Sequence, residues 1–259
     1  MAIGNVTPDS FYPASRLSDE QAISTWAKDA LAQGATILDI GGCSTRPGRF
    51  YPASDALAKG ATILDIGGCS TRPGSVPASE EEEWQRLEPA LRILRSQLPD
   101  AQLSIDTFRP EIARRALETF GPMIINDISG GCEAMYQVVR AYQVPYIWTL
   151  RGQLDLPEEH PEMEDIDLIL DPGFGFIGST EADYACMRQM EHLKRFNRPI
   201  LVGVSRKSMV WRPLAQTPDT CLCGTQVLQL YALQHGATIL RTHDVRATRD
   251  TIELYNRLV

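Results

Sequence analysis

Short apolar runs alternate with longer amphipathic segments along the whole of this 259-residue chain. Runs of about five to seven residues that are rich in Ile, Leu and Val are typical of strands buried on both faces of a parallel sheet. The sequence therefore predicts an α/β protein with parallel strands. The runs lie at residues 2–6, 36–40, 62–66, 102–106, 123–127, 144–148, 167–171, 199–205 and 237–243.

The amphipathic segments between these runs are predicted helices. Ser79 and Glu82 form a capping box at the start of one of them. Gly34, Gly60 and Gly236 each lie between a helical segment and an Ala-Thr-Ile-Leu strand, where a helix-ending glycine is expected. The predicted helices span residues 19–33, 79–97, 109–118, 133–142, 181–196, 219–235 and 246–258.

A twenty-residue block occurs twice, at 29–48 and at 55–74, with one difference between the copies. Each copy holds one strand candidate and a loop of Gly, Ser, Thr, Arg and Pro. Counting both copies gives nine strand candidates, one more than a (β/α)8 barrel contains. We therefore expect one copy to be displaced, excluded or packed irregularly, and we favour 29–48 as the barrel strand because its preceding helix is complete. Residues 41–61 leave a short crossover between the copies, with room for a helix at 54–59.

Polar side chains follow nearly every predicted strand, and their distribution separates two architectures. A (β/α)8 barrel gathers functional groups at the carboxyl ends of all its strands, whereas a doubly wound sheet gathers them at one crevice. Helix capping alone would not explain a mixture of acids, amides and cations. The distribution predicts a TIM (β/α)8 barrel, formed as a single domain over residues 1–259. The strand-end groups are Asn5, Asp9, Asp39 or Asp65, Asp106, Thr107, Asn126, Asp127, Asp171, Arg206, Lys207, Arg241, His243 and Asp244.

Composition and charge argue against a nucleic-acid-binding protein and against a membrane protein. A net charge of −8 and a pI near 5.1 argue against a nucleic-acid-binding protein, which needs a basic face. No apolar run approaches the ~20 residues that span a membrane, and the N-terminus lacks the features of a signal peptide. We therefore expect a cytoplasmic protein with no membrane partner. The six cysteines lack zinc-site spacing and are expected to be reduced thiols.

Three other features have simpler interpretations. Residues 173–178 fit the dinucleotide pattern G-x-G-x-x-G, but the next strand ends without the acid that would bind a ribose. His160, His192 and His235 lie on predicted helices or loops and are interpreted as surface or hydrogen-bonded side chains. The acidic run 80–83 is interpreted as a solvated helix start, where the helix dipole favours carboxylates.

Seven motifs follow one another along most of the chain. They are Asn5-Val-Thr-Pro-Asp-Ser-Phe11, the repeated Asp-Ile-Gly-Gly-Cys-Ser-Thr-Arg-Pro-Gly, Ser104-Ile-Asp-Thr107, Ile125-Asn-Asp-Ile128, Asp171-Pro-Gly-Phe-Gly-Phe176, Ser205-Arg-Lys-Ser208 and Arg241-Thr-His243-Asp244. In this order they resemble the dihydropteroate synthase family. The resemblance implies a TIM-barrel transferase of folate synthesis that forms homodimers. It would join 6-hydroxymethyl-7,8-dihydropterin diphosphate to 4-aminobenzoate and release pyrophosphate with the help of Mg²⁺.

The same resemblance implies a pterin site made of Asp106, Asn126, Asp171 and Lys207. A pterin ring presents a row of N–H donors and acceptors, so a buried site needs matching partners. Asp171 would accept N–H bonds from the pyrimidine edge, while Asn126 and Lys207 would supply the opposing donors. Asp106 would oppose the positive charge expected as the C–O bond to diphosphate breaks.

The remaining implied roles concern the leaving group and the second substrate. Arg241 and His243 would bind the diphosphate, and Asn5 would join them through Mg²⁺. Asp106, Lys207, Arg241 and His243 would together form the catalytic set. The implied aminobenzoate-binding residues are Thr45, Arg46 and Pro47 or their copies Thr71, Arg72 and Pro73, together with Phe176 and Ser208.

Two departures from the family pattern leave alternatives open. The repeat lies beside the aminobenzoate pocket, where extra length would exclude sulfonamides or block the pocket. The segment before the strand at 167–171 is short and carries Pro157 and Pro161, so we expect poor coverage of that side of the barrel. The alternatives are a pterin-binding protein without catalysis and a methyltransferase that passes a methyl group from a reduced folate to a corrinoid partner.

Overall fold

The structure, a computed structural model, describes residues 1–5, 20–41, 63–69, 77–97 and 102–259. Nine parallel strands form a ring in this part of the chain. They are β1 (Ala2–Asn5), β2 (Ile37–Gly41), β3 (Ile63–Gly67), β4 (Gln102–Asp106), β5 (Ile124–Asp127), β6 (Tyr146–Thr149), β7 (Leu168–Asp171), β8 (Leu201–Val202) and β9 (Ile239–Leu240). Strands β1 to β7 make one sheet in chain order, and β8 pairs with β9. Bridges between Leu170 and Ile200, and between Ala2 and Thr242, join the two sheets at both edges.

Helices separate the strands along the described chain and confirm the predicted α/β barrel. All seven predicted helices are present, and the one predicted at 181–196 ends as an α-helix at Gln189 and continues as a 3-10 helix over Met190–Phe196. No helix in the described ranges is long and apolar enough to cross a membrane. The helices are α1 (Glu20–Ala32), α2 (Glu80–Gln97), α3 (Pro110–Phe120), α4 (Glu133–Tyr142), α5 (Leu156–Glu159), α6 (Thr180–Gln189), α7 (Ser208–Trp211), α8 (Leu222–Gln234) and α9 (Val245–Asn256).

Both copies of the repeat are barrel strands. Each residue of β2 pairs with its own copy in β3, from Ile37 with Ile63 to Gly41 with Gly67. Neither copy is displaced or excluded, so those two expectations and the preference for 29–48 alone are wrong, and in the described part of the chain the ring departs from the regular barrel by having nine strands instead of eight. The physical reason is that the two strands have the same side-chain pattern, so either can pair with the other and bury the same face. The predicted helix at 54–59 and Gly60 lie outside the described residues.

The segment between β6 and β7 is short, as predicted. It contains only α5 and a 3-10 turn at Pro161–Met163. The expectation of exposed strand surface is wrong, because Leu154, Leu156, Met163 and Ile166 of this segment are all buried against the core. Compact turns thus cover β6 and β7 where a full helix is absent.

The start of α2 carries the predicted capping box. Ser79 N–H donates to Glu82 Oε2 at 2.8 Å, and Glu82 N–H donates to Ser79 Oγ at 3.3 Å. The interpretation of the whole acidic run as solvated is wrong at Glu83, whose side chain is 0% exposed. Glu83 accepts a hydrogen bond from Thr107 Oγ1 at 2.6 Å and forms an ion pair with Arg109. This buried carboxylate therefore ties α2 to the loop that follows β4.

Equal truncations of the two copies test the nine-strand ring. Leu38 and Leu64 occupy the same repeat position, and both are 0% exposed. We expect Leu38→Ala and Leu64→Ala each to lower the free energy of unfolding by about 2–5 kcal/mol, because each leaves a core cavity. Urea denaturation measures both values, with Val227→Ala on an exposed helix position as the control. A loss confined to one of the two leucine variants would contradict the ring.

Candidate active site

Two layers of side chains follow from the two-residue period of the strands. An apolar layer inside the barrel contains Met1, Ile63, Ile124, Ile147, Ile169, Leu201 and Ile239. Because alternate residues of a strand face the same side, the residue two positions further along also points inward. On β6 that residue is Thr149, which carries a hydroxyl, and on four other strands it is a charged or amide side chain. These four are Asp65, Asn126, Asp171 and Arg241, and they form a polar layer toward the carboxyl ends of the strands.

Strand register brings Asp106 and Asn126 together. Asp106 is paired with Asn126 on one side and with Gly67 on the other. Asn126 Nδ2 donates a hydrogen bond of 2.8 Å to Asp65 Oδ2. Asp65 Oδ1 and Ser104 Oγ are buried neighbours on paired strands and make no hydrogen bond of standard geometry with any described residue, although the Ser104 hydroxyl still lowers the pKa of Asp65 against the effect of burial. This side of the barrel mouth therefore combines two carboxyls, an amide and a hydroxyl.

Arg241 faces these carboxyls from β9. Its Nε lies 2.8 Å and its Nη2 lies 2.5 Å from Asp39 Oδ2. Burial lowers the pKa of the Arg241 guanidinium, but the charges of Asp39, Asp106 and Asp65 outweigh it and raise that pKa overall. Arg241 is therefore a fixed cation held against three acidic side chains.

The positive charge of Arg241 does not fully compensate the negative charges of the Asp65 and Asp106 carboxyls. Burial, followed by the charge of Asp39, raises the pKa of Asp65 to about 6. Burial, followed by the charge of Asp65, raises the pKa of Asp106 well above its ordinary value, and Arg241 only partly opposes this. Clustered carboxyls in a low-dielectric site retain protons for this reason. Perturbed acids of this kind are typical of functional sites.

Asp171 and Lys207 lie on the opposite side of the mouth. Asp171 Oδ1 accepts a hydrogen bond of 2.8 Å from the N–H of Gly173. Burial raises the pKa of Asp171, and the charge of Lys207 partly reverses this. Burial also lowers the pKa of the Lys207 amine to about 8, although Asp171 opposes the shift. The Lys207 amine donates to the carbonyl oxygen of Phe174 and lies 5.1 Å from the centre of the Phe176 ring.

Two glycines leave room for the Lys207 side chain. A Cβ at Gly175 would lie 3.0 Å from Lys207 Cδ, and one at Gly203 would lie 3.7 Å from its amine. Gly175 also has a φ of 84°, a conformation that larger residues rarely adopt. Gly175 of the 173–178 loop therefore serves the approach of Lys207, which gives this glycine a purpose other than dinucleotide binding.

His243 is held at the end of β9 by Ser205. Ser205 Oγ lies 3.0 Å from His243 Nδ1 and accepts a hydrogen bond of 3.1 Å from the His243 N–H. Sequence reasoning did not single out Ser205 or the pairing of Asp39 with Arg241. The sequence did contain a signal for Asp39, because both copies of the repeat carry an aspartate at this strand position.

Several strand-end polar groups are structural. Arg206 is buried and binds Asp244 through two hydrogen bonds of 2.8 and 2.7 Å. Asp127 accepts hydrogen bonds from Tyr146 Oη and from the Ser129 N–H. These groups connect neighbouring loops and strands, so they are unavailable as the chemical groups that their positions had suggested.

The remaining predicted site residues are described only in part. Asn5 ends β1 and pairs through its backbone with Gly41. Phe176 and Ser208 lie in the loop after β7 and at the start of α7, on either side of Lys207 in the chain. The predicted aminobenzoate residues of both repeat loops lie outside the described residues. They are Thr45, Arg46, Pro47, Thr71, Arg72 and Pro73.

The three other histidines are surface or hydrogen-bonded, as interpreted from the sequence. His160 Nδ1 lies 2.9 Å from Glu162 Oε1, and His235 Nδ1 lies 2.8 Å from the Tyr231 carbonyl oxygen. His192 is exposed on the 3-10 helix after α6. None of them lies among the polar residues at the barrel mouth.

The pKa of Asp65 leads to a pH-dependent stability. Because its folded pKa of about 6 exceeds the ordinary value, the native state takes up a proton between about pH 4 and 6. The free energy of unfolding therefore falls as pH rises through this window. We expect Asp65→Asn to raise that free energy at pH 8 by roughly 1–3 kcal/mol and to give no gain near pH 4.

Urea denaturation at both pH values checks this expectation. Asp39→Asn is the matched control, because it removes the same charge from the other copy but leaves the Arg241 cation without its charged partner. We expect that variant to lose stability at pH 8. A gain from Asp65→Asn that is the same at both pH values would contradict the assignment.

Comparison with known proteins identifies the family of this chain. A sequence profile described as pterin binding enzyme matches residues 1–52, 50–167 and 158–243. A dihydropteroate synthase from Synechocystis is 34% identical over 95% of this chain and 85% of its own length. Another from Escherichia coli is 32% identical over 98% of this chain and 89% of its own length.

A solved structure leads to the same family. The dihydropteroate synthase of Clostridium difficile, determined in the presence of pteroic acid, has a TM-score of 0.74 and 28% identity, covering 100% of this chain and 95% of its own. The sequence and structural matches both extend over nearly the whole chain. The chain therefore belongs to the pterin-binding enzyme family and, within it, to the dihydropteroate synthases, which are transferases of folate biosynthesis.

Proposed function

We propose that the two sides of the barrel mouth divide the condensation between them. The Asp171–Lys207 side, with Asn126, binds the pterin, and the Arg241–His243 side binds its diphosphate. The amine nitrogen of 4-aminobenzoate attacks the methylene carbon of the pterin, the C–O bond to diphosphate breaks, and the amine proton is lost. The observation that carries this proposal is the convergence of a carboxyl, an amine, an amide and a guanidinium at the ends of separate strands.

Pterin recognition rests on donors and acceptors at fixed positions. Asp171 is oriented by the Gly173 N–H and offers its other carboxyl oxygen to the N–H groups of the pyrimidine edge. Asn126 is oriented by donating one amide N–H to Asp65, which leaves its second N–H to donate to the pterin and its amide oxygen to accept from a ring N–H. Lys207 donates to ring acceptors from the opposite side. Because these groups are buried, a ligand that fails to pair with them leaves them unsatisfied, which gives strong discrimination.

The leaving group requires positive charge. Arg241 supplies a permanent cation, and His243, held by Ser205, supplies a ring nitrogen that donates when protonated. Asp106 lies on the other side of the mouth, where a carboxyl opposes the positive charge that develops on the pterin methylene as the bond breaks. Arg241 and protonated His243 thus lie where the negative leaving group forms, and the Asp106 carboxyl lies where the positive charge develops.

A Mg²⁺ ion fits the donors at this site. The described residues contain no group of three or more His, Cys, Asp or Glu that could hold a metal on their own. Mg²⁺ commonly binds through one or two protein oxygens together with substrate phosphates and water. Asn5, at the carboxyl end of β1, would provide an amide oxygen. Bound there, the ion would neutralise charge on the leaving diphosphate.

The second substrate would enter beside Phe176 and Ser208. Phe176 provides an aromatic surface next to the Lys207 amine, and Ser208 provides a hydroxyl at the start of α7. We further propose that the protein forms a homodimer and that the repeat reduces access for sulfonamides, which protrude further than 4-aminobenzoate. The structure of a dihydropteroate synthase from Xanthomonas albilineans with 4-aminobenzoic acid has a TM-score of 0.73 to this chain and supports 4-aminobenzoate as the second substrate by analogy.

Binding and turnover separate this proposal from a pterin-binding protein without catalysis. We expect calorimetry to detect binding of pterin diphosphate and a coupled assay to detect pyrophosphate once 4-aminobenzoate is added. Asp171→Asn should lower kcat/KM by at least about 100-fold, because it removes the charged acceptor. Asp167→Asn, just before β7, is the matched control and should keep normal activity. Binding without pyrophosphate release would exclude the enzyme.

The pKa of Lys207 predicts an alkaline limb in the pH profile. Since the amine has a pKa of about 8, its cationic form is lost as pH rises above that value. We expect kcat/KM for pterin diphosphate to fall tenfold per pH unit above about pH 8. Lys207→Arg keeps its charge at high pH, so that variant should be slower but lack this limb. An unchanged limb in Lys207→Arg would assign the titration to another group.

Removal of one repeat unit tests the proposed effect on sulfonamides. Deletion of residues 50–75 removes β3 with its loop and leaves one copy of the block. We expect the ratio of the sulfonamide inhibition constant to the KM for 4-aminobenzoate to fall by about tenfold or more, which corresponds to roughly 1.4 kcal/mol. An unchanged ratio in a folded, active deletion variant would rule out this role for the repeat.

A further inference from the structure

The two copies of one aspartate have different partners. Asp39 and Asp65 occupy the same position of the repeat and lie side by side in register. Asp65 accepts a hydrogen bond from Asn126, whereas Asp39 binds Arg241 through one carboxyl oxygen. Asp65 thus belongs to the pterin side of the mouth and Asp39 to the diphosphate side. With two copies of the strand, one aspartate contacts Asn126 and the other contacts Arg241. A barrel with one copy would have a single carboxyl for both contacts.

The contact between Asp39 and Arg241 lies at the mouth of the barrel. The Asp39 side chain is 3% exposed and the Arg241 side chain is 22% exposed, so part of the Arg241 side chain reaches solvent while Asp39 is enclosed. A guanidinium has five N–H donors, and Asp39 contacts two of its three nitrogens. Asp39 is the guanidinium's hydrogen-bond partner among the residues that the structure describes, so within this part of the chain the remaining donors are open to an incoming phosphate oxygen. However, a diphosphate that binds there is placed next to the negative charge of Asp39, and like charges in a poorly solvated site repel strongly.

We infer that Asp39 sets the affinity for diphosphate by competing with it for Arg241. This inference rests on the proposed role of Arg241 in binding the diphosphate. Asp39 acts on the anion through Arg241 and through its own charge, so it is a positioning and affinity-setting residue. Its effect is to weaken the hold on the pyrophosphate product and so to ease product release.

Binding of inorganic pyrophosphate in the presence of Mg²⁺ tests this inference directly. Titration calorimetry on the full chain would compare the wild type with Asp39→Asn, which keeps the side-chain volume and an oxygen that accepts from Arg241. We expect Asp39→Asn to bind pyrophosphate about tenfold more tightly and to show a matching decrease in the inhibition constant of pyrophosphate in turnover. A purely structural defect would weaken binding, so a gain in affinity separates the two explanations.

Asp65→Asn is the matched control, since it makes the same change at the same repeat position in the other copy. Its carboxyl is bound to Asn126 and does not contact Arg241, so we expect pyrophosphate affinity to change by less than about threefold. Equal gains in the two variants would show that general charge, and not the Asp39–Arg241 contact, sets the affinity, and would overturn the inference.

Arg241→Gln distinguishes failure of this inference from failure of the proposed function. Loss of pyrophosphate binding in Arg241→Gln together with unchanged or weaker binding in Asp39→Asn would overturn the inference and leave the diphosphate role of Arg241 intact. Unchanged binding in Arg241→Gln would remove that role itself. Asp39→Ser serves as a second variant, and loss of the fold in both Asp39 variants, seen by thermal unfolding, would show a structural ion pair and overturn the inference.

Discussion

In-register pairing of β2 with β3 is the contact on which the rest of the barrel depends. It joins two nearly identical strands, so each residue lies next to its own copy and the inward and outward faces continue without a break. A one-residue slip would turn Asp65 toward the helices and Leu64 into the barrel. Because the register holds, β3 presents the correct face to β4, and the ring continues to the bridges on β8 and β1.

An additional strand in the ring also changes the spacing of charges. Neighbouring strands lie about 4.8 Å apart. One extra strand therefore lengthens the path along the ring from the β9 cation to the β4 and β5 groups by about that distance. Asp39 fills the interval between Arg241 and Asp65. Three buried carboxyls with raised pKa, one carboxyl bound to the guanidinium and one amine with a lowered pKa then share the mouth. The charge state of the site is a property of this group as a whole.

Buried ion pairs behind the mouth orient the loops that carry these groups. Glu83 on α2 binds Thr107 and Arg109, immediately after Asp106. Arg206 binds Asp244 and so connects the loops after β8 and β9, beside Lys207 and His243. A charged side chain that is buried and paired is costly to disrupt, since removal of one partner leaves the other uncompensated. These pairs hold the chemical groups at the barrel mouth without touching the proposed substrates.

Sequence alone determined the barrel, its helices and most of the polar layer. The reason is local: the two-residue period of a strand such as Ile63-Leu-Asp65 or Ile239-Leu-Arg241 places an apolar side chain and a charged one on the same inner face. Motif order added the family. Neither the two-residue period nor the order of the motifs depends on which strands are neighbours.

Tertiary structure decided what depends on neighbours and burial. Whether the second copy joins the ring is a question of strand pairing, and its sequence is equally suited to either outcome. Glu83 and Arg206 look like solvated or catalytic groups until their buried partners are known. Asp39 and Asp65 have the same neighbouring residues in sequence but bind different partners, Arg241 and Asn126. The difference comes from the strands that lie on either side of each copy.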